Sequence, residues 1–218
     1  MLQTPVSQMG EPHQNCSPLR VAATVAWCGG VAALLARQAK LAAIPALLLQ
    51  RFSAAASRPP SAVSVVVPIL AFSAVALPFG LHSGFLQRPD TSSLKVARLI
   101  PLGCVTLVAP SLAEEALFRV ALLPSVASLG VAAAPVAVSW LSFVVYHVDC
   151  WHPPLHSDAR FLATAGGLGA ACTAAYIMSG GSLWAPVLVH WFPVWAWLGI
   201  FGGEDAHKRG SFAPRRLA

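Results

Sequence analysis

The stretch that decides the fold runs Leu99-Ile-Pro-Leu-Gly-Cys-Val-Thr-Leu-Val-Ala-Pro110-Ser-Leu-Ala-Glu114-Glu115-Ala-Leu-Phe-Arg119-Val-Ala-Leu-Leu123. It is apolar and long enough to cross a bilayer, for which about 20 residues suffice. Yet it holds Glu114, Glu115 and Arg119. The chain has only 8 acidic residues among 218, and two of them stand side by side here. Ionisable groups at membrane depth are costly to hold there, so they mark functional sites. Read as a helix with a rotation of about 100° per residue, Glu115 and Arg119 share one face at i,i+4, with the acid on its favourable N-terminal side. Glu114 is turned away from that pair and can face a cavity. Pro110, one turn earlier, removes a backbone donor and predicts a kink beside the carboxylates. A second reading stays open at this point: both glutamates pair with cations and only hold helices together.

Composition sets the class. The chain is 56% hydrophobic and 10% charged, with a mean hydropathy of +0.67. Soluble domains carry about 25% charged residues, so the chain reads as an all-α, polytopic transmembrane helix bundle. At about 20 residues per crossing its length predicts six to seven spans. The net charge of +6 is spread between apolar segments and at the C-terminus. This fits contact with the lipid bilayer and its anionic headgroups, not a stripe for nucleic acid. The five cysteines show no paired spacing, and neither a disulfide framework nor a zinc cluster is read from them.

Four regions follow. Residues 1–61 hold one apolar segment, Val21 to Leu49, and a small-residue linker over 51–61. This region reads either as a first span or as an acid-poor targeting sequence. Residues 62–98 contain a further span and a basic loop. Residues 99–202 hold the core helices, with spans over 127–146, 161–178 and 183–201. Residues 203–218 form a basic tail. With one crossing per segment, the loops at 83–98 and 150–160 and the C-terminal tail share one side, and the positive-inside rule makes it the cytoplasm, stroma or matrix.

Two histidines lie in apolar segments. Phe143 and His147 are at i,i+4 in Phe143-Val-Val-Tyr-His147. His190 lies mid-span between Pro186 and Pro193, and irregular backbone at depth must be buried or line a cavity. A carboxylate and an imidazole can hold and deprotonate one water. A second imidazole can donate to an oxyanion. These are the parts of a peptide hydrolase. Glu114, His147 and His190 could instead hold a divalent metal such as zinc, although the HExxH spacing is absent. Buried Glu and His also serve transporters and proton relays, but the two halves show no matching broken helices.

These residues resemble the motifs of the CAAX prenyl protease and bacteriocin-processing (Abi) family of intramembrane endopeptidases: EExxxR at Glu114–Arg119, FxxxH at Phe143–His147, and the start of HxxxN at His190, in order and on separate segments. The resemblance spans roughly residues 99–202. It implies that Glu114 activates water with His147, that Glu115 and Arg119 organise their helix, and that His190 stabilises the oxyanion. It also implies a membrane-associated peptide or protein substrate, prenylated CAAX tails being the best-known substrates of the family. Val194 stands where many members have Asn, removing a donor from the oxyanion site, and so implies that another group substitutes or that activity is reduced, and it motivates a competing reading, a non-catalytic relative that binds a membrane partner. Glu115-Ala-Leu-Phe-Arg119-Val-Ala-Leu-Leu-Pro124 and Trp184-Ala-Pro-Val-Leu-Val-His190-Trp191 are similar to members from oxygenic phototrophs, which implies a chloroplast membrane.

Overall fold

A computed structural model describes residues 18–38, 40–89, 96–123, 126, 133–148 and 154–212. Among these the chain is all-helical, as the composition predicts. Eight helices follow in order: α1 Pro18–Gln38, α2 Ile44–Ala56, α3 Ala62–Ser83, α4 Val96–Ala121, α5 Ala133–Tyr146, α6 Ala159–Met178, α7 Trp184–Gly199 and α8 Gly203–Arg209. Of the region 1–61 read as a first span or a targeting sequence, residues 1–17 and 39 lie outside the described residues. So do the loop residues 90–95 and 149–153 and the last six residues of the tail.

The span count differs from the expectation of six to seven. Three helices, α3, α4 and α6, are long and apolar enough to cross a membrane, or four if α7 and α8, bent by 66°, act as one. The run from Val21 to Leu49 is not one long helix, because it breaks at residues 40–43 into α1 and α2. Of the expected span over 127–146, the described part is α5, with 14 residues, and residues 127–132 lie outside the described residues. The expected linker at 51–61 is partly helix, since α2 runs to Ala56. The expected tail begins with α8 and buries Phe212.

Helix α6 is the centre of the bundle and packs on α3, α5 and α7. Its glycines and alanines let neighbours approach closely. More than half (56%) of its apolar window is buried, against 11% for α3. Helix α3 is capped at its start by Ser61, whose side chain accepts from the Ser64 amide, and ends at Gly84, which turns with φ 75°. Its Val63, Val67, Leu70 and Val75 are exposed, as expected for a lipid-facing helix.

Two sets of connections tie the ends. At one end Arg51 donates to the carbonyls of Ala121 and Leu123, and Trp184 Nε1 donates to the Ala56 carbonyl. At the other, the turn after α3, the start of α6 and the residues after α7 meet. Gln87 N donates to Phe201 O, Arg160 donates to Ser83 O, and Phe85 stacks on Trp197 at 5.2 Å. These are the described parts of the loops that the charge distribution puts on one side.

Candidate active site

Glu114 and Glu115 occupy a short helical piece, Ala113–Glu115, between two widened turns, Leu107–Leu112 and Ala116–Ala121. Ala109 leaves the helical region with φ −133° and ψ 118°, just ahead of Pro110. The kink predicted from Pro110 is therefore present. Widened turns of this kind are uncommon and recur at functional sites.

Glu115 and Arg119 are fully buried and paired, with Arg119 Nε 3.2 Å from Glu115 Oε2. Arg119 also donates from Nη2 to the Gly169 carbonyl at 2.7 Å, and its guanidinium lies 4.8 Å from the centre of the Phe143 ring. Glycine at 169 is required by this close approach: an added Cβ would meet Phe143 at 2.8 Å. Phe143 thus forms one wall of the arginine pocket, the physical content of its place in the second motif.

His190 is also buried and binds the other oxygen of Glu115, with Nδ1 2.7 Å from Oε1. A carboxylate already paired with arginine can only accept, so Nδ1 carries the proton. Nε2 is then the atom turned towards Glu114, 3.9 Å from its Oε2. His147 is fixed in the same way: Nδ1 is 2.8 Å from the Phe143 carbonyl, which can only accept, so the lone pair of a neutral ring belongs to Nε2. Its ring stands edge-on to Phe143 at 4.8 Å.

Glu114, His147, His190 and Phe143 all line one cavity of about 560 Å³. The rest of its wall is mostly apolar, from Phe72 and Leu77 on α3 through Leu168 on α6 to Val194 and Trp197 on α7. Among the described residues no group donates a hydrogen bond to Glu114 Oε2. The structure thus brings together all the candidate residues. It divides them into a bound group (Glu115, Arg119) and a cavity-facing group (Glu114, His147), which His190 joins.

A resident metal fits this arrangement poorly. Among the described residues the one group of His, Cys and carboxylate side chains that closes to ligand spacing is Glu115, Cys172 and His190, with atoms within 4.8 Å. That is not the expected set of Glu114, His147 and His190. In it, the Arg119 cation already holds Glu115, and a proton lies between Glu115 and His190. A divalent ion would have to displace that proton beside a guanidinium.

The pattern of EExxxR, FxxxH and a later histidine, with Glu114, Phe143, His147 and His190 lining one cavity, agrees with the comparison against known families. Residues 95–196 match the family described as type II CAAX prenyl endopeptidase Rce1-like. These residues are a domain of that family. No curated protein and no solved structure matches the chain.

Sequence reasoning missed His156. It lines the same cavity, its ring 6.0 Å from that of His147 and stacked on Phe161 at 4.3 Å. It sits in a polar loop with no motif spacing, so only the packing of that loop against α6 reveals it.

Proposed function

We propose that the protein is an intramembrane endopeptidase that hydrolyses a peptide bond of a membrane-associated peptide or protein. The observation that carries this reading is the Glu114 carboxylate facing an apolar cavity beside His147 and the Nε2 atom of a histidine anchored by a second carboxylate. Glu114, with His147, takes a proton from a water that attacks the scissile carbonyl. The C–O bond forms, and the oxyanion accepts a hydrogen bond from Nε2–H of protonated His190. The C–N bond then breaks as Glu114 returns the proton to the leaving nitrogen. General-base catalysis of this kind contributes about 100- to 10,000-fold. Glu115 and Arg119 orient His190 and do not contact substrate. No step is routed through a metal.

The apolar walls suit a hydrophobic segment or lipid group on the substrate, and the family's description makes prenylated CAAX peptides the first candidates. The test is cleavage of a membrane-delivered peptide library by purified protein in proteoliposomes, paired with Glu114→Ala. Products from the wild type alone support the reading. Equal products from both overturn it.

Val194 favours a second reading, a relative that binds a membrane partner without cleaving it, because valine donates no hydrogen bond where the motif supplies one. In cells, full complementation by Glu114→Ala and His190→Ala at unchanged protein levels would select it.

A further inference from the structure

We infer that Ser139 is a positioning residue of the site: its hydroxyl pins α5 to the widened turn of α4 and so fixes where His147 stands in the cavity. This rests on the protease reading above. Ser139 and Phe143 are the buried residues of α5, and buried His147 follows them at the same i,i+4 step. The first two touch the Phe118–Arg119 turn, and the third lines the cavity with Glu114.

The backbone of α4 prepares the bond that Ser139 makes. Leu122 N donates five residues back, to the Leu117 carbonyl at 3.2 Å. A regular α-helix would send that amide to the Phe118 carbonyl. In the widened turn the Ser139 hydroxyl donates to the Phe118 carbonyl, at 2.6 Å and with both residues fully buried. A buried carbonyl without a donor is costly, so the serine stabilises the widened form of the turn. The same bond fixes the place of α5 along α4.

Phe143 does not fix that register alone. It meets Phe118 edge-on at 5.2 Å and the Arg119 guanidinium at 4.8 Å. Burial of apolar surface is non-directional, whereas a hydrogen bond weakens steeply once its geometry is lost. Trp140, the next residue, ties α5 to α6 instead, with Nε1 2.7 Å from the Gly166 carbonyl. From Ser139 one helix face runs through Phe143 to His147, whose Nδ1 is 2.8 Å from the Phe143 carbonyl. A shift of α5 along α4 therefore moves His147 relative to Glu114.

The experiment measures cleavage of a quenched-fluorophore farnesylated CAAX peptide by the full chain in proteoliposomes. Ser139→Ala should lower kcat about 100-fold, the usual cost of a misplacement of about 1 Å, with KM unchanged. In a His147→Ala background Ser139→Ala should lower kcat no further, because residues that act as a unit are not additive. Ser139→Cys keeps a weak donor in nearly the same shape. It should fall between the wild type and Ser139→Ala, and it covers the case in which the alanine variant does not fold. Ser64→Ala is the matched control. That hydroxyl is equally buried and donates to the Ser61 carbonyl at 2.7 Å, at the start of α3. Its loss should lower the unfolding temperature and leave kcat unchanged.

A wild-type kcat in Ser139→Ala, or in Ser139→Cys where alanine does not fold, would overturn the inference. So would the same fold-loss with and without His147, or an equal kcat loss from Ser64→Ala, because Ser139 would then act on stability alone. Absence of Glu114-dependent cleavage by the wild type would instead bring down the protease reading, and this inference with it.

Discussion

Glu114 and Glu115 are neighbours in sequence with opposite surroundings. Both oxygens of Glu115 are engaged, one by Arg119 and one by His190, at no exposure to solvent. Glu114 lines the cavity, and the nearest basic atom to its Oε2 is His190 Nε2 at 3.9 Å, beyond hydrogen-bond reach. One-third of a helical turn separates a carboxylate that builds the site from one that can do chemistry in it. A proteolytic carboxylate inside a membrane needs both conditions: a rigid, charge-balanced support behind it and a reachable oxygen in front.

The comparison breaks most severely at its support. Arg119→Ala leaves Glu115 buried without its cation, a change that typically costs about 3–5 kcal/mol, and it removes the tie to the Gly169 carbonyl. The variant should lose both thermal stability in detergent and all cleavage. A stable Arg119→Ala protein would mean that Glu115 is neutral or repaired by another group. On the open side the expectation is reversed. Glu114→Gln should lower kcat by about 100- to 10,000-fold with little change in unfolding temperature, because its closest basic neighbour, His190 Nε2, is 3.9 Å away and is anchored by Glu115 instead. A large stability loss from Glu114→Gln would erase the distinction between the two residues.

How far this contrast was legible in the sequence follows from its physics. Helical rotation alone separates Glu114 from Glu115, and i,i+4 spacing alone pairs Glu115 with Arg119, so both could be read from the six residues Glu114–Arg119. The Pro110 kink was legible for the same local reason. The clasp of His190 on Glu115 joins residues 75 apart in sequence, and no local rule predicts it. The motif resemblance implied an oxyanion role for His190 but not its anchor. His156 was invisible because its position depends on how the turn Pro154–Ser157 folds back onto Phe161. Dividing the length by about 20 residues per crossing gives six to seven spans but does not reveal where an apolar run breaks, as it does between α1 and α2; among the described residues three or four segments are long and apolar enough to cross.

Gly169 sharpens the comparison at intermediate cost. Alanine there places a methyl 2.8 Å from Phe143 Cδ1 and 3.4 Å from Arg119 Nη2, so the aromatic wall and the guanidinium must shift. Overpacking of this kind costs about 1–3 kcal/mol. Gly169→Ala should lower the unfolding temperature and, by displacing Arg119, reduce kcat more than it raises KM. Gly167→Ala, whose added methyl would touch only Phe72 at an ordinary 3.5 Å, is the matched control and should change neither.

The smallest effect comes from a second acid–arginine pair, outside the buried site. Asp158 caps α6, accepting from the Arg160 amide at 2.8 Å, and holds the Arg160 guanidinium through both carboxylate oxygens. Unlike Glu115–Arg119, this pair is about one-third exposed. The Arg160 hydrogen bond holds the Asp158 carboxyl below its ordinary range. The pKa in the folded state lies below that of the unfolded chain, so the stabilisation is fully present above about pH 4 and is lost as pH falls through the depressed folded value. Asp158→Ala should therefore cost about 1 kcal/mol at pH 7, the usual worth of such a cap. Its unfolding curve should converge with that of the wild type as acid neutralises the native carboxylate. A gap that stayed constant down to low pH would show that packing of the Asp158 side chain, and not its charge, secures the start of α6 beside His156.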